Sequence, residues 1–151
     1  MPSMKILVSV FGNVGGEVRG SRPGPGHRFF FSEYVTLLEY DGVKQKKQLA
    51  GSHSGFTTTV RIAAADDQLY PEDSILTQYE ATYRFNTVAN TPLKKGQVTA
   101  RGTYLGIIGA GGFTLVDVPV RFAITGGTEA YAKARGEIFE RPENRLLDIQ
   151  L

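Results

Sequence analysis

Apolar and polar residues alternate along most of this chain with a period of two, and clusters of Gly, Pro, Asn and Asp interrupt the alternation. Successive side chains of a strand point to opposite faces, so this is the pattern of antiparallel strands. Helical spacing is nearly absent. The pattern predicts strands over residues 5–11, 28–40, 46–62, 74–85, 96–104, 113–125, 136–139 and 145–151. Asp41-Gly42, between Tyr40 and Val43, predicts a tight hairpin, because Asp-Gly supplies the positive φ that a primed turn needs. Two stretches are loops by composition. Residues 12–27 carry Gly-Gly and Arg-Pro-Gly-Pro-Gly, and residues 63–73 are acidic and end in Tyr-Pro-Glu-Asp. About eight hairpin-linked strands can remove their edges by closing into a barrel, which holds side chains or one small ligand. A two-sheet sandwich satisfies the same pattern. No repeat or linker divides the chain, so residues 1–151 are expected to form one domain.

Parity also assigns faces. From Tyr79, one face carries Tyr79, Ala81, Tyr83 and Phe85, and the other Glu80, Thr82 and Arg84. The charged set belongs in water, so the aromatic set is expected inside. Tyr104 ends a strand whose same-face neighbours Gly102, Ala100 and Val98 are small, as the wall of a cavity requires. His53 groups with Gly55, Thr57, Thr59 and Arg61, against Ser54, Phe56, Thr58 and Val60. Glu33 shares a face with Phe31, Val35 and Leu37, which points it inward if those residues form core. A carboxylate there needs a partner.

Composition narrows the function. The chain has no cysteine, which removes disulfides, thiolate metal sites and cysteine nucleophiles and favours a reducing, cytoplasmic setting. The opening MPSMKILVSV is too weak for a signal peptide, and no segment has membrane-spanning length. Net charge is +2, and the one basic cluster, Lys44 to Lys47, follows the Asp-Gly turn as a solvated face would. No nucleic-acid groove or membrane contact is expected. One histidine with no second ligand is poor evidence for metal, and no metal or cofactor is expected.

The stretches YEATYRF (79–85), GQVTARGTY (96–104), FAITGG (122–127) and ARGEI (134–138) resemble the allene oxide cyclase family and its dirigent-protein relatives. The resemblance implies a closed barrel in which Gly126-Gly127 release the chain from one strand, a short helical turn caps the barrel end with Tyr131, and Gly136 re-enters the sheet. It also implies chemistry on a largely apolar small molecule held inside. Plant allene oxide cyclases close a fatty-acid epoxide, dirigent proteins steer phenoxy radical coupling, and similar bacterial barrels, the spirotetronate Diels-Alderases, close polyketides by intramolecular 4+2 cycloaddition. Fixing a reactive conformer is a large part of such catalysis. Tyr104 stands where the cyclase motif carries its tyrosine. The face with His53 and Thr57 becomes the inner one, whereas Gly12 and Leu37 replace that family's catalytic Glu and its Asn.

The reading is a cyclase acting on an unsaturated polyketide or lipid-derived intermediate, with a non-catalytic binder or dirigent-like guide as the alternative and a barrel plugged by its own side chains as a third. Tyr104, Tyr79, Tyr83 or His53 would polarise a carbonyl, and Glu33, paired with Arg61 or His53, is the inward carboxylate. Thr57, Phe31, Val35, Leu37, Phe85 and Arg61 would contact substrate. The 12–27 loop, with Glu17, would cover the mouth. The resemblance further implies a homo-oligomer, a dimer or trimer, joined through outward residues such as Phe56 and Val60.

Overall fold

A computed structural model describes residues 3–18, 25–109, 112–116, 120–141 and 143–151, and contains no helix among them. The strands are β1 (Ser3–Phe11), β2 (Gly16–Val18), β3 (Arg28–Tyr40), β4 (Val43–Ile62), β5 (Ser74–Phe85), β6 (Gly96–Gly109), β7 (Gly112–Leu115), β8 (Val120–Glu129), β9 (Arg135–Glu140) and β10 (Arg145–Gln150). They run β1-β10-β9-β8-β6-β5-β4-β3, and β3 returns to pair with β1, from Ile6↔Tyr40 to Phe11↔Tyr34. The result is a closed antiparallel barrel of eight strands. The sandwich is excluded by that closing pair.

Hairpin chemistry explains most of the connections. Asp41 and Gly42 both have positive φ, 46° and 81°, and join Tyr40 to Val43 as a primed turn. The predicted strand 113–125 is divided into β7 and β8, and the predicted loop 12–27 contains β2. Each of these short strands prolongs a barrel wall. β2 pairs with β3 at Gly16↔Phe30, just beyond the end of β1, and β7 pairs with β6 at Gly106↔Leu115, beyond the end of β8. Residues 19–24 and 117–119 lie outside the described residues.

One end of the barrel is packed solid. Val35, Leu37, Leu147, Ile149, Ile138, Tyr83 and Phe85 fill it, with Tyr131 as the plug. Tyr131 stands on a turn of successive three-residue hydrogen bonds (Tyr131 N to Thr128 O, 2.9 Å; Ala132 N to Glu129 O, 3.2 Å; Ala134 N to Tyr131 O, 2.9 Å), tighter than the helical turn expected from the Ala-rich sequence. Its hydroxyl accepts from Lys94 N (3.1 Å) and donates to Lys94 O (2.8 Å), so the plug is fixed at its polar tip. The flanking glycines are required by close approach. A Cβ on Gly127 would lie 2.1 Å from Gln97 O, and one on Gly136, at φ 137°, would lie 1.9 Å from Asp148 O.

The other end is open on one side. The β9–β10 hairpin stops at Glu140 and Arg145, level with Val120 of β8 and Val8 of β1, while the β1–β2 and β7 walls continue past it. The lowered rim leaves the interior of this end accessible from the side.

Candidate functional site

Behind that rim lies a cavity of about 410 Å³, lined by Asn13, Phe29, Phe31, Glu33, His53, Thr57, Tyr79, Tyr104, Leu115, Glu140, Arg141 and Arg145. Strand parity delivers most of this set. Phe29, Phe31 and Glu33 are alternate residues of β3, His53 and Thr57 belong to the inner face of β4, and β5 and β6 bring Tyr79 and Tyr104. Leu115 ends β7, and Asn13 and Arg141 come from the connections that frame the opening.

At the floor, three side chains form a hydrogen-bonded chain. His53 Nδ1 is 3.0 Å from Glu33 Oε1, and His53 Nε2 is 2.5 Å from the Tyr79 hydroxyl. His53 is 1% exposed. Arg145 Nη1 lies 3.1 Å from His53 Nδ1 and 3.3 Å from Nε2. Such similar distances to both ring nitrogens place the guanidinium over the imidazole face, since an in-plane donor reaches only one of them. The same nitrogen donates to the Tyr83 hydroxyl (3.2 Å), and Nη2 donates to Glu140 Oε1 (2.9 Å). Phe31 packs on the imidazole at 4.8 Å between centroids, and Tyr79 stacks on Phe122 at 4.0 Å.

These contacts set the charges. Burial, reinforced by the Arg145 charge, outweighs Glu33 and lowers the His53 imidazole to about 4, so it is neutral at pH 7. Burial alone would raise the Glu33 carboxyl, but the hydrogen bond from His53 and the nearby positive charge hold it below the ordinary carboxylate value. Burial pushes the Tyr79, Tyr83 and Tyr104 phenols up, and Tyr104 is hydrogen-bonded to Thr77 and Thr57. Arg145 keeps its charge, because Tyr83 and Glu140 more than offset its burial.

A stability prediction follows from His53. Its ordinary value is 6.5 and its folded value about 4, so between these the unfolded chain holds a proton that the folded protein lacks. Stability is therefore complete above pH 6.5 and declines as pH falls toward 4, by about 3 kcal/mol. Denaturant midpoints measured across this window should show that decline, and His53→Gln should flatten it. An unchanged slope in the variant would refute the assignment.

Of the residues expected in the site, Glu33, His53, Tyr79, Tyr104, Phe31 and Thr57 line the cavity together. Val35, Leu37 and Phe85 point inward as parity required, yet they lie in the packed end and do not reach the cavity. Tyr83 is fully buried beneath it and does not line it, but packs under His53 at 4.4 Å between centroids and is hydrogen-bonded to Tyr79 and Arg145. Arg61 does not pair with Glu33. A register shift between Thr59 and Arg61 turns Arg61 to the outer face, opposite Leu76, where it pairs with Asp67. Arg145 takes the place assigned to Arg61 beside the Glu33–His53 pair. The described part of the 12–27 loop contributes Asn13 to the lining, while the Glu17 side chain lies outside the described residues.

Comparison with known proteins places the architecture. A pyocyanin demethylase superposes with a TM-score of 0.58 at 20% identity, covering 99% of this chain and all of its own. The likeness is one of barrel fold. A pterocarpan synthase dirigent protein superposes with a TM-score of 0.55 at 14% identity, covering 98% of this chain and 83% of its own. No protein-family model matches the chain, and no curated protein matches it in sequence. Among the described residues no helix is long and apolar enough to cross a membrane.

Proposed function

We propose that the protein is a small-molecule-processing barrel, a cyclase or isomerase that folds a conjugated polyketide- or lipid-derived intermediate into its open end. The observation that carries this reading is the Glu33–His53–Tyr79 chain at the floor of an aromatic cavity. A carboxylate that holds a neutral imidazole, which in turn meets a phenol, is an arrangement for moving a proton. The cavity volume lies within the range of about 300–1,000 Å³ common to ligand sites, and its Phe29, Phe31 and Leu115 walls suit an apolar body with few polar groups. Confinement alone would serve a 4+2 cycloaddition, whereas a buried acid–base chain favours a ring closure or bond shift in which a proton moves. Outward Phe30, Phe56 and Val60 support the accompanying proposal of a homo-oligomer joined through the β3–β4 surface.

The test is incubation of the purified protein with extract of the producing cells, followed by mass spectrometry of bound and released compounds. A ligand returned as an isomer of identical mass supports the enzyme. A ligand returned unchanged makes the protein a guide or carrier, and capture of nothing overturns both.

A further inference from the structure

The hydrogen bonds at the cavity floor are spent within the protein. An ionised Glu33 only accepts, so His53 Nδ1 carries the proton of that contact, and Nε2 of the neutral ring accepts from the Tyr79 hydroxyl. Tyr83, whose oxygen accepts from Arg145, then donates to Tyr79. Arg145 also donates to Glu140 and lies over the imidazole face, so its charge is balanced where it stands. The donors of the floor thus answer one another from Arg145 to Glu33.

The rim is different. Of the four charged side chains that line the cavity, Glu33, Glu140, Arg141 and Arg145, only the Arg141 guanidinium has no hydrogen-bond or ion-pair partner among the described residues. Its backbone is nevertheless fixed, because Arg141 N donates to Asn144 O (2.9 Å) and closes the β9–β10 turn. The residue is exposed, so its five N–H donors are available at the mouth. Asn13 brings an amide to the same rim from the β1–β2 connection.

We propose that Arg141 anchors a single negative charge, the carboxylate of a ligand whose flat unsaturated body lies inward against Phe29, Phe31 and Leu115. This rests on the reading of the cavity as the ligand site and adds the polarity of what enters it. A guanidinium fork matches a carboxylate with two parallel N–H···O bonds. The direction of entry follows from charge. An acid group carried to the floor would leave water for a region whose uncompensated charge is Glu33, a carboxylate beside a neutral imidazole. At the rim it keeps part of its hydration and meets the one lining cation not already balanced. A phosphate monoester would bring nearly two charges to a single free arginine, with Glu140 on the same wall, so a monoanion is the better match. Held at its acid end, the conjugated body reaches inward toward His53 and Tyr79, the groups of the proposed chemistry.

The probe is 5-phenylpenta-2,4-dienoate, compared with its primary amide and its methyl ester by calorimetry at pH 7, at low and at high salt. The acid is expected to bind about fivefold more tightly than either neutral compound at low salt, the upper range for an exposed ion pair, with the advantage shrinking at high salt. Arg141→Gln should bring the three compounds to within about twofold of one another and leave the ester's affinity unchanged, which also shows that the cavity stays folded. Lys47→Gln, the same loss of charge at an exposed position of β4 outside the cavity, should keep the full preference. Acid and amide bound alike, a preference that survives Arg141→Gln, or one that Lys47→Gln removes equally would overturn the proposal and leave the cavity as the ligand site. Binding of none of the three at millimolar concentration would overturn it together with that reading. Affinity is read at equilibrium, so a lack of turnover counts against the cyclase alone.

Discussion

If the proposed activity holds, replacing His53 by alanine should lower turnover by about 10²–10⁴-fold, the usual share of a positioned general acid or base. His53 is the only member of the Glu33–His53–Tyr79 chain with a free lone pair inside hydrogen-bond reach of the Tyr79 proton. Without it the Tyr79 proton loses its path toward Glu33, and Glu33 loses the hydrogen bond that does most to lower it. The loss should fall on kcat more than on KM, because the apolar walls that would bind the substrate, Phe29, Phe31 and Leu115, are untouched. Glu33→Gln should cost less, since the amide still orients the ring. The measurement is conversion of the compound recovered from cell extract, alongside a melting curve to confirm the fold. Turnover within threefold of wild type in a folded His53→Ala protein would make the chain a structural network.

Gly136→Ala should destabilise the fold by about 3–5 kcal/mol, at the upper end of single-substitution effects, where strain at a special backbone conformation is a recognised cause. Two faults coincide there. The backbone sits at φ 137°, and an added Cβ would lie 1.9 Å from Asp148 O on β10. Relief requires β9 and β10 to separate, and that hairpin carries Glu140 and Arg145 into the site, so the binding cavity should fail together with stability. The comparison is Gly42→Ala, where φ is 81° but no atom lies within 4 Å of the new Cβ. That change costs only the left-handed backbone penalty of about 1–2 kcal/mol. Similar denaturant midpoints for the two variants would refute the packing argument.

Much of the site was legible through parity, and the misses have a physical cause. Period-two alternation placed Glu33 beside Phe31 and Tyr79 beside Tyr83, because an uninterrupted strand keeps its faces. The same rule put Arg61 inside, where one extra residue near Val60 reverses it, and a bulge leaves no mark in the apolar pattern. Arg145 and Glu140 carry the same alternation. Arg145 alternates with the buried Leu147 and Ile149, and Glu140 with the buried Ile138. A charge at the end of an apolar face reads as a strand leaving the core unless its neighbour is known to be another charge, and that neighbour is a matter of pairing.

The division between the two levels follows from range. Turn chemistry and alternation act over a few residues, and they were sufficient to determine an all-β chain, its hairpins, the Gly126-Gly127 and Gly136 punctuation around Tyr131 and the inward face of most strands. Closure depended on β1 meeting β3, and the open side depended on β9 and β10 ending short of their neighbours. Both are relations between segments far apart in the chain, enforced by packing of the whole barrel. Val35, Leu37 and Phe85 shared their faces with site residues, and only their depth along the barrel axis made them core. The same long-range packing buried His53 and brought Arg145 over it from 92 residues away, and burial first, with the arginine second, keeps that imidazole neutral.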